Sequence, residues 1–363
     1  MFQARALPGW ATSAPGIVIL KSYLMKLPIF IEKNGMNAFA SRPHAALPPH
    51  RAAAPECPPC SYLEMNASLT AGDNFRYIPF LHRFVKESRA HSSGLHAGES
   101  VAPSLRDYAY DTIIDFIRQT VEGSGARGAV IGLSGGIDSA LVMKLCCDAL
   151  GNDRVEALLL PATDVPDIDE RDAAGYASLL GVKTRRIPIG GHVSQIAAAS
   201  GASDAKTVGN IKARVRMIFL YATANMRSLR VAGTGNKSEL LTGYFTKYGD
   251  GAVDFLPIGD LYKTEVRQLA VQLNLPSAFL EKSPSAGLWE GQTDEAELGV
   301  KYELLDTILF SMENHMSAPE IVDSTGIGRD IVDRIFSMVA AGNHKRRAAT
   351  MPKIGIRTAG PDW

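Results

Sequence analysis

Gly132-Leu-Ser-Gly-Gly-Ile-Asp-Ser-Ala-Leu-Val142 decides how the chain is read. Three glycines and two serines surround a single acid, Asp138. Before it, Gly128-Ala-Val-Ile131 reads as a short buried strand; after it, Ala140-Leu-Val-Met-Lys-Leu-Cys-Cys-Asp-Ala-Leu150 reads as a helix. The amides at a helix N-terminus lack intrahelical partners and carry the positive end of the dipole, so an anion binds there readily. Gly135 and Gly136 permit close approach of the backbone to such an anion, and Ser134 and Ser139 add hydroxyls. A lone carboxylate would repel a phosphate, so Asp138 makes sense with a magnesium ion between them. The pattern is not G-x-x-x-x-G-K-[ST]. A plain glycine turn with a serine N-cap is the alternative.

The surroundings extend this pattern. Helices are predicted over 108–121, 139–150, 169–180, 210–226 and 263–273, and strands over 129–133, 155–160, 183–189 and 229–232. Alternating strands and helices mean an α/β fold, a doubly wound parallel sheet with helices on both faces. Ligands of such sheets bind at the carboxyl ends of the strands, which singles out loops 132–139, 161–168 and 233–239.

Residues 1–74 read differently. The first sixty hold nine of the twenty prolines and only two acids, Glu32 and Glu56. Periodicity is weak, although 16–20 suits a strand, and the segment is expected to be disordered. A mis-assigned start with Met65 as initiator is preferred to a targeting peptide or a lineage-specific extension. Residues 75–104 read as a linker in which 75–86 docks on the core, and 105–363 as the catalytic domain.

Composition narrows the function. Lys+Arg and Asp+Glu balance at 38 each in 363 residues, which gives no electrostatic case for nucleic acid or a membrane surface. No run approaches the ~20 apolar residues of a bilayer span. Of the four cysteines, Cys146 and Cys147 fall in a helical pattern and Cys57 and Cys60 form one isolated C-x-x-C; this usage suits a reducing cytoplasm.

Further motifs carry a resemblance. Gly132 to Ser139 resembles the pyrophosphatase loop of the N-type ATP pyrophosphatases. Gly233-Thr-Gly-Asn-Lys-Ser-Glu239, Gly243-Tyr-Phe-Thr-Lys-Tyr-Gly-Asp250 and Pro284-Ser-Ala-Gly-Leu-Trp-Glu-Gly-Gln-Thr-Asp-Glu295 together look like NAD synthetase in its ammonia-dependent form. The resemblance covers roughly residues 105 to 355. It implies the adenine nucleotide alpha-hydrolase-like fold and conversion of deamido-NAD to NAD by ATP and ammonia, through an acyl-adenylate. It implies ATP contacts at Gly132, Leu133, Ser134, Gly135, Gly136, Ile137, Asp138, Ser139, Thr234, Lys263 and Ser285. Magnesium ligands fall on Asp138 and Glu239, and dinucleotide contacts on Arg214, Lys247, Asp254, His344 and Lys345. A homodimer is implied as well.

Taken alone, Glu239 is a first-turn helix glutamate, Lys263 a helix-start lysine, Arg214 a solvated helix arginine, and His344 part of a charge run. The proton acceptor for ammonium is not identified; Asp254 is one candidate. Residues 282–292, with Gly287, Trp289 and Gly291, read as a lid. The upstream segment is too short for a nitrilase-like glutaminase, so ammonia arrives free or from a separate glutaminase. Two other classes compete. A tRNA- or GMP-modifying ATP pyrophosphatase would share the first motif, and a non-catalytic nucleotide sensor would have lost the acidic pair.

Overall fold

The computed structural model describes residues 102–282, 284–285, 287–289, 292–354 and 356, with the backbone of three short strands near the start of the chain. The chain divides into two units, residues 1–94 and 95–363. In the first, β1 (Val18–Leu20), β2 (Ile29–Ile31) and β3 (Phe39–Ala40) pair antiparallel in that order. The strand expected at 16–20 is therefore β1. The disorder expected elsewhere in 1–74, the docking element at 75–86 and the Cys57/Cys60 pair lie outside the described residues.

The second unit opens with α1 (Ala109–Gly123), whose buried stripe Ile113, Ile114, Ile117 and Val121 has helical spacing. Then come β4 (Gly128–Gly132), α2 (Ile137–Leu150), β5 (Val155–Leu159), α3 (Ile168–Leu179) and β6 (Lys183–Arg186). The last strand stops short of the expected residue 189: the Ile187 and Ile189 amides still donate to the Leu159 and Pro161 carbonyls, both at 2.8 Å, but Pro161 has no amide to donate back. Next are α4 (Gly190–Ser200), α5 (Ala205–Arg227), β7 (Leu229–Ala232), α6 (Lys237–Thr242), α7 (Lys263–Gln272) and α8 (Ser277–Leu280). Four more helices close the unit: α9 (Asp294–Leu298), α10 (Tyr302–Glu313), α11 (Ala318–Thr325) and α12 (Arg329–Ala341).

The four-stranded sheet has the order β6-β5-β4-β7, and every pairing is parallel. The chain moves outward from β4 to β5 and β6, then returns to place β7 on the other side of β4. That reversal opens a crevice at the carboxyl ends of β4 and β7, where ligands of such sheets sit.

Alternation along the strands gives each face of the sheet its own core. Ala129, Ile131, Ala157 and Leu159 join α1, α2, α3, α7 and α8 on one face. Val130, Leu158 and Val231 join Val193 of α4 and Val215 and Ala224 of α5 on the other. Helix α2 is apolar nearly all round and deeply buried, including Cys146 and Cys147, whose thiols are free. Burial pushes the Cys147 thiol up to about 12. The C-terminal helices build a separate core around Tyr302, Leu305, Ile308, Leu309, Val332 and Ile335. Among the described residues, no helix is long and apolar enough to cross a membrane.

Candidate active site

The loop after β4 is fixed by apolar anchors at each end and by its own serines. Leu133 and Ile137 are buried, and the Leu133 amide extends the ladder to the Leu158 carbonyl at 2.9 Å. The Ser139 hydroxyl donates to the Gly136 carbonyl (3.0 Å) and accepts from the Ser134 amide (3.2 Å). The Ser134 hydroxyl accepts from the Gly136 amide at 3.2 Å. The serines expected to supply donors to an anion thus also shape the loop. Gly136 is the N-cap of α2 and contributes no side-chain cap, so the cap leaves the first-turn amides of that helix to an incoming anion. Gly135 has φ +80°, and a Cβ there would lie 2.5 Å from the Asp169 carbonyl oxygen, so only glycine fits.

The loop after β7 faces this one. Asn236 is fully buried and is the N-cap of α6: its Oδ1 accepts from the Glu239 amide at 3.0 Å, and the Glu239 carboxylate accepts from the Asn236 amide at 3.2 Å. The Asn236 Nδ2 donates to Asp138 Oδ1 at 3.1 Å, so one residue, through its side chain and its backbone amide, holds both acids. Thr234 sits at the start of this loop, half-buried. Lys263, the first residue of α7, lies between the acids: it is paired with Asp138, and Glu239 Oε1 is 4.0 Å away. A lysine at a helix N-terminus opposes the dipole, and this one is only 2% exposed. It is held there by the carboxylates rather than by solvent. Burial favours the neutral amine, but the charges of Asp138 and Glu239 outweigh it and hold the ammonium above its ordinary value. Burial and the Asp138 charge push the Glu239 carboxyl up to about 8.

Two carboxylates against one ammonium give the cluster more acidic than basic groups. Among the described residues, no three His, Cys, Asp or Glu side chains could hold a metal by themselves. One or two carboxylates completed by substrate phosphates is how Mg²⁺ is usually held, and Asp138 with Glu239 fits that donor set.

A second layer ties this cluster down. Asp306 of α10 is fully buried. Its Oδ1 accepts from the Ser238 hydroxyl and its Oδ2 from the Thr264 amide at 2.8 Å. The Lys263 amide donates to Ser238 Oγ at 2.9 Å. One carboxylate therefore fixes the residue before Glu239 and the residue after Lys263.

The residues matched to dinucleotide contacts gather at the C-terminal edge of the unit. Arg214 Nη2 donates to the Lys247 carbonyl at 3.3 Å, and Lys247 Nζ to the His344 carbonyl at 2.8 Å. Lys345 Nζ donates to the carbonyls of Gly243 and Phe245, both at 2.7 Å. Lys247 and Lys345 line one crevice with Tyr221 and Phe245. Asp254 stands beside it, accepting from the Tyr221 hydroxyl at 3.3 Å and the Val231 amide at 2.7 Å. Lys345 and Asp254 are engaged with the protein itself here. Ser285 is too, donating to the Gln292 carbonyl at 2.7 Å and accepting from the Gly287 amide. Asn236, Ser238, Asp306 and Lys282 were not singled out from the sequence. Of these only Asn236 carried a signal, the N-x-x-E of a capping box.

Comparison with known proteins identifies relatives of this chain. The profile of the family described as NAD synthase matches residues 109–349. The NH(3)-dependent NAD(+) synthetase of Methanosarcina mazei is 46% identical over 250 residues, which are 68% of this chain and 98% of that protein. The protein of the same description from Hyperthermus butylicus is 48% identical, over 66% of this chain and 88% of that one. Among solved structures, the NH3-dependent NAD synthetase from Campylobacter jejuni has a TM-score of 0.59 at 32% identity, covering 68% of this chain and 97% of that one. An NMN synthetase from Francisella tularensis has a TM-score of 0.61 at 35% identity, covering 68% and 98%.

Proposed function

Because the chain belongs to the NAD synthase family, we infer that it is an ammonia-dependent NAD synthetase, a ligase that uses ATP to amidate deamido-NAD. The observation that carries this reading is the Asp138–Lys263–Glu239 cluster, gripped by Asn236 beside the glycine loop at the sheet's crevice.

A carboxylate is a poor electrophile, and its oxygen is a poor leaving group. A carboxylate oxygen of deamido-NAD attacks the α-phosphorus of ATP and pyrophosphate leaves, giving the acyl-adenylate. Ammonia then attacks the acyl carbon, AMP leaves carrying the former carboxylate oxygen, and the nitrogen gives up a proton to leave the amide. The amides at the start of α2 and the Lys263 ammonium hold the departing pyrophosphate and offset the charge that spreads over the phosphates. Mg²⁺ held by Asp138 and Glu239 supplies further positive charge to the phosphates when bound. The other ATP contacts fall on Thr234 and Ser285, and Ser285 turns its hydroxyl from its own loop to the nucleotide. Arg214, Lys247, His344 and Lys345 make a basic rim that suits the dinucleotide phosphates, with Asp254 beside it.

The enzyme works as a homodimer in the cytoplasm, with ammonia supplied free or by a separate glutaminase. Residues 105–363 form its catalytic domain. The test is incubation with ATP, Mg²⁺, deamido-NAD and either ammonium or glutamine, with nicotinate mononucleotide as the rival acceptor because of the likeness to an NMN synthetase. NAD and AMP in equal amounts from ammonium support the reading. Turnover of the mononucleotide in preference to deamido-NAD removes the dinucleotide assignment.

A further inference from the structure

Lys282 is absent from the roles described so far. It follows α8, whose Phe279 is buried in the sheet's core, and precedes Ser285 by three residues. Its Nζ pairs with Asp169 Oδ2 at 2.7 Å and donates to the Gly135 carbonyl at 3.2 Å. One ammonium thus bridges the first turn of α3 and the glycine loop.

Both posts of this bridge are independently fixed. Asp167 caps α3 by accepting from the Glu170 amide at 2.8 Å. Glu170 is paired with Arg186 at the end of β6. Arg186 also donates to the Thr163 and Asp164 carbonyls at 3.1 and 2.9 Å. On the other side, Gly135 touches α3 so closely that no Cβ fits between them. Its carbonyl points outward to Lys282, while the Gly136 amide of the same peptide turns back to Ser134 Oγ. The direction of that peptide decides where the next amides, those of the first turn of α2, are aimed.

We propose that Lys282 is a positioning residue for the nucleotide site: by holding the Gly135 carbonyl against Asp169, it orients the phosphate-binding amides and keeps the Ser285 segment beside them. Lys282 acts through the peptide, not by touching the reacting atoms. It governs affinity for the pyrophosphate part of ATP and leaves the basic rim around Arg214 and Lys247 untouched. The proposal rests on the nucleotide reading of the loop.

The test uses the full chain with Lys282→Met, Lys282→Arg and Asp169→Asn. Calorimetry gives the dissociation constant of inorganic pyrophosphate, and steady-state kinetics give KM for ATP and for deamido-NAD. Loss of a charge-assisted bond to the loop is expected to raise the pyrophosphate constant and KM for ATP about tenfold in Lys282→Met. KM for deamido-NAD stays within about twofold by the same reasoning, since the rim contacts do not involve this bond. Lys282→Arg recovers most of the loss. Asp169→Asn shifts ATP in the same direction, and the double variant is no worse than the more impaired single one, because both changes break one bridge. Unchanged pyrophosphate binding in Lys282→Met overturns the proposal, as does an equal rise in both KM values with a lowered Tm. If the unaltered protein binds neither pyrophosphate nor ATP, the nucleotide reading itself fails.

Discussion

Asp306→Ala isolates the carboxylate that ties the C-terminal helices to the catalytic cluster. Asp306 is fully buried, and its two oxygens satisfy the Ser238 hydroxyl and the Thr264 amide. Truncation leaves both donors without an acceptor where water does not reach. A buried donor deprived of its partner costs about 1–3 kcal/mol, so two cost about 2–6 kcal/mol. For a unit of this size that lowers Tm by roughly 4–24 °C. Asp306→Asn keeps one acceptor oxygen and turns an amide group on the other donor, so it retains about half the stability difference. Urea unfolding followed by circular dichroism should show a lower midpoint with the slope unchanged. Since Ser238 adjoins Glu239 and Thr264 adjoins Lys263, kcat should fall in both variants even where the protein is fully folded. A stability loss below about 0.5 kcal/mol in Asp306→Ala would refute the reasoning about orphaned donors. Full kcat in a destabilised variant would show that the network supports the fold but not the site.

Cation binding should depend on pH through Glu239, whose carboxyl is held up to about 8. Between its ordinary value and 8 the folded state carries the extra proton, so folding stability in metal-free buffer falls as pH rises through that window. Mn²⁺ must displace the proton, so its binding should tighten from pH 6 to 8 with proton release, and Glu239→Gln should abolish the release; pH-independent binding would contradict this. Arg214→Ala and Lys247→Ala should weaken deamido-NAD by ~1.5–3 kcal/mol, the range for charge-assisted bonds, with a smaller effect on ATP. A larger rise in KM for ATP would mean the two subsites are exchanged. A chain starting at Met65 should keep its Tm within a few degrees and its full activity, because residues 1–94 are a unit of their own and every residue matched to the site lies between Gly132 and Lys345. Aggregation of the shortened chain would make that segment a structural part of the enzyme.

The sheet was legible because its strands and its glycine turn each carry a local signal. Gly128–Gly132 is apolar at successive positions and ends in glycines, and Leu229–Ala232 was found with its boundaries intact. Helix α4 escaped because it begins on two glycines, runs through three alanines and buries only Val193, so no stripe marks it. Helices α10 and α12 do carry stripes, but these face a core of their own, and nothing local links them to the site. Asp306 meets its partners 68 and 42 residues away, a relation no periodicity records. Asp138 entered through the glycine turn, and Glu239 and Lys263 through family resemblance. Residue by residue, Glu239 is an ordinary capping-box glutamate and Lys263 an ordinary helix-start lysine. The fold changes that by burying Lys263 against Asp138 and hanging both acids on Asn236. His344 is a partial exception, since it is the backbone carbonyl that meets Lys247.

In the proposed reaction ATP activates the substrate carboxylate by adenylation at the cluster of Asp138, Lys263 and Glu239. Deamido-NAD carrying ¹⁸O in its nicotinate carboxylate tests this directly when turned over with ATP and ammonium and the products are weighed by mass spectrometry. Adenylation puts one labelled oxygen in the AMP phosphate and none in pyrophosphate, and leaves one in the amide of NAD. Label in inorganic phosphate with ADP as co-product would mean attack at the γ-phosphorus and an acyl phosphate, and would contradict it.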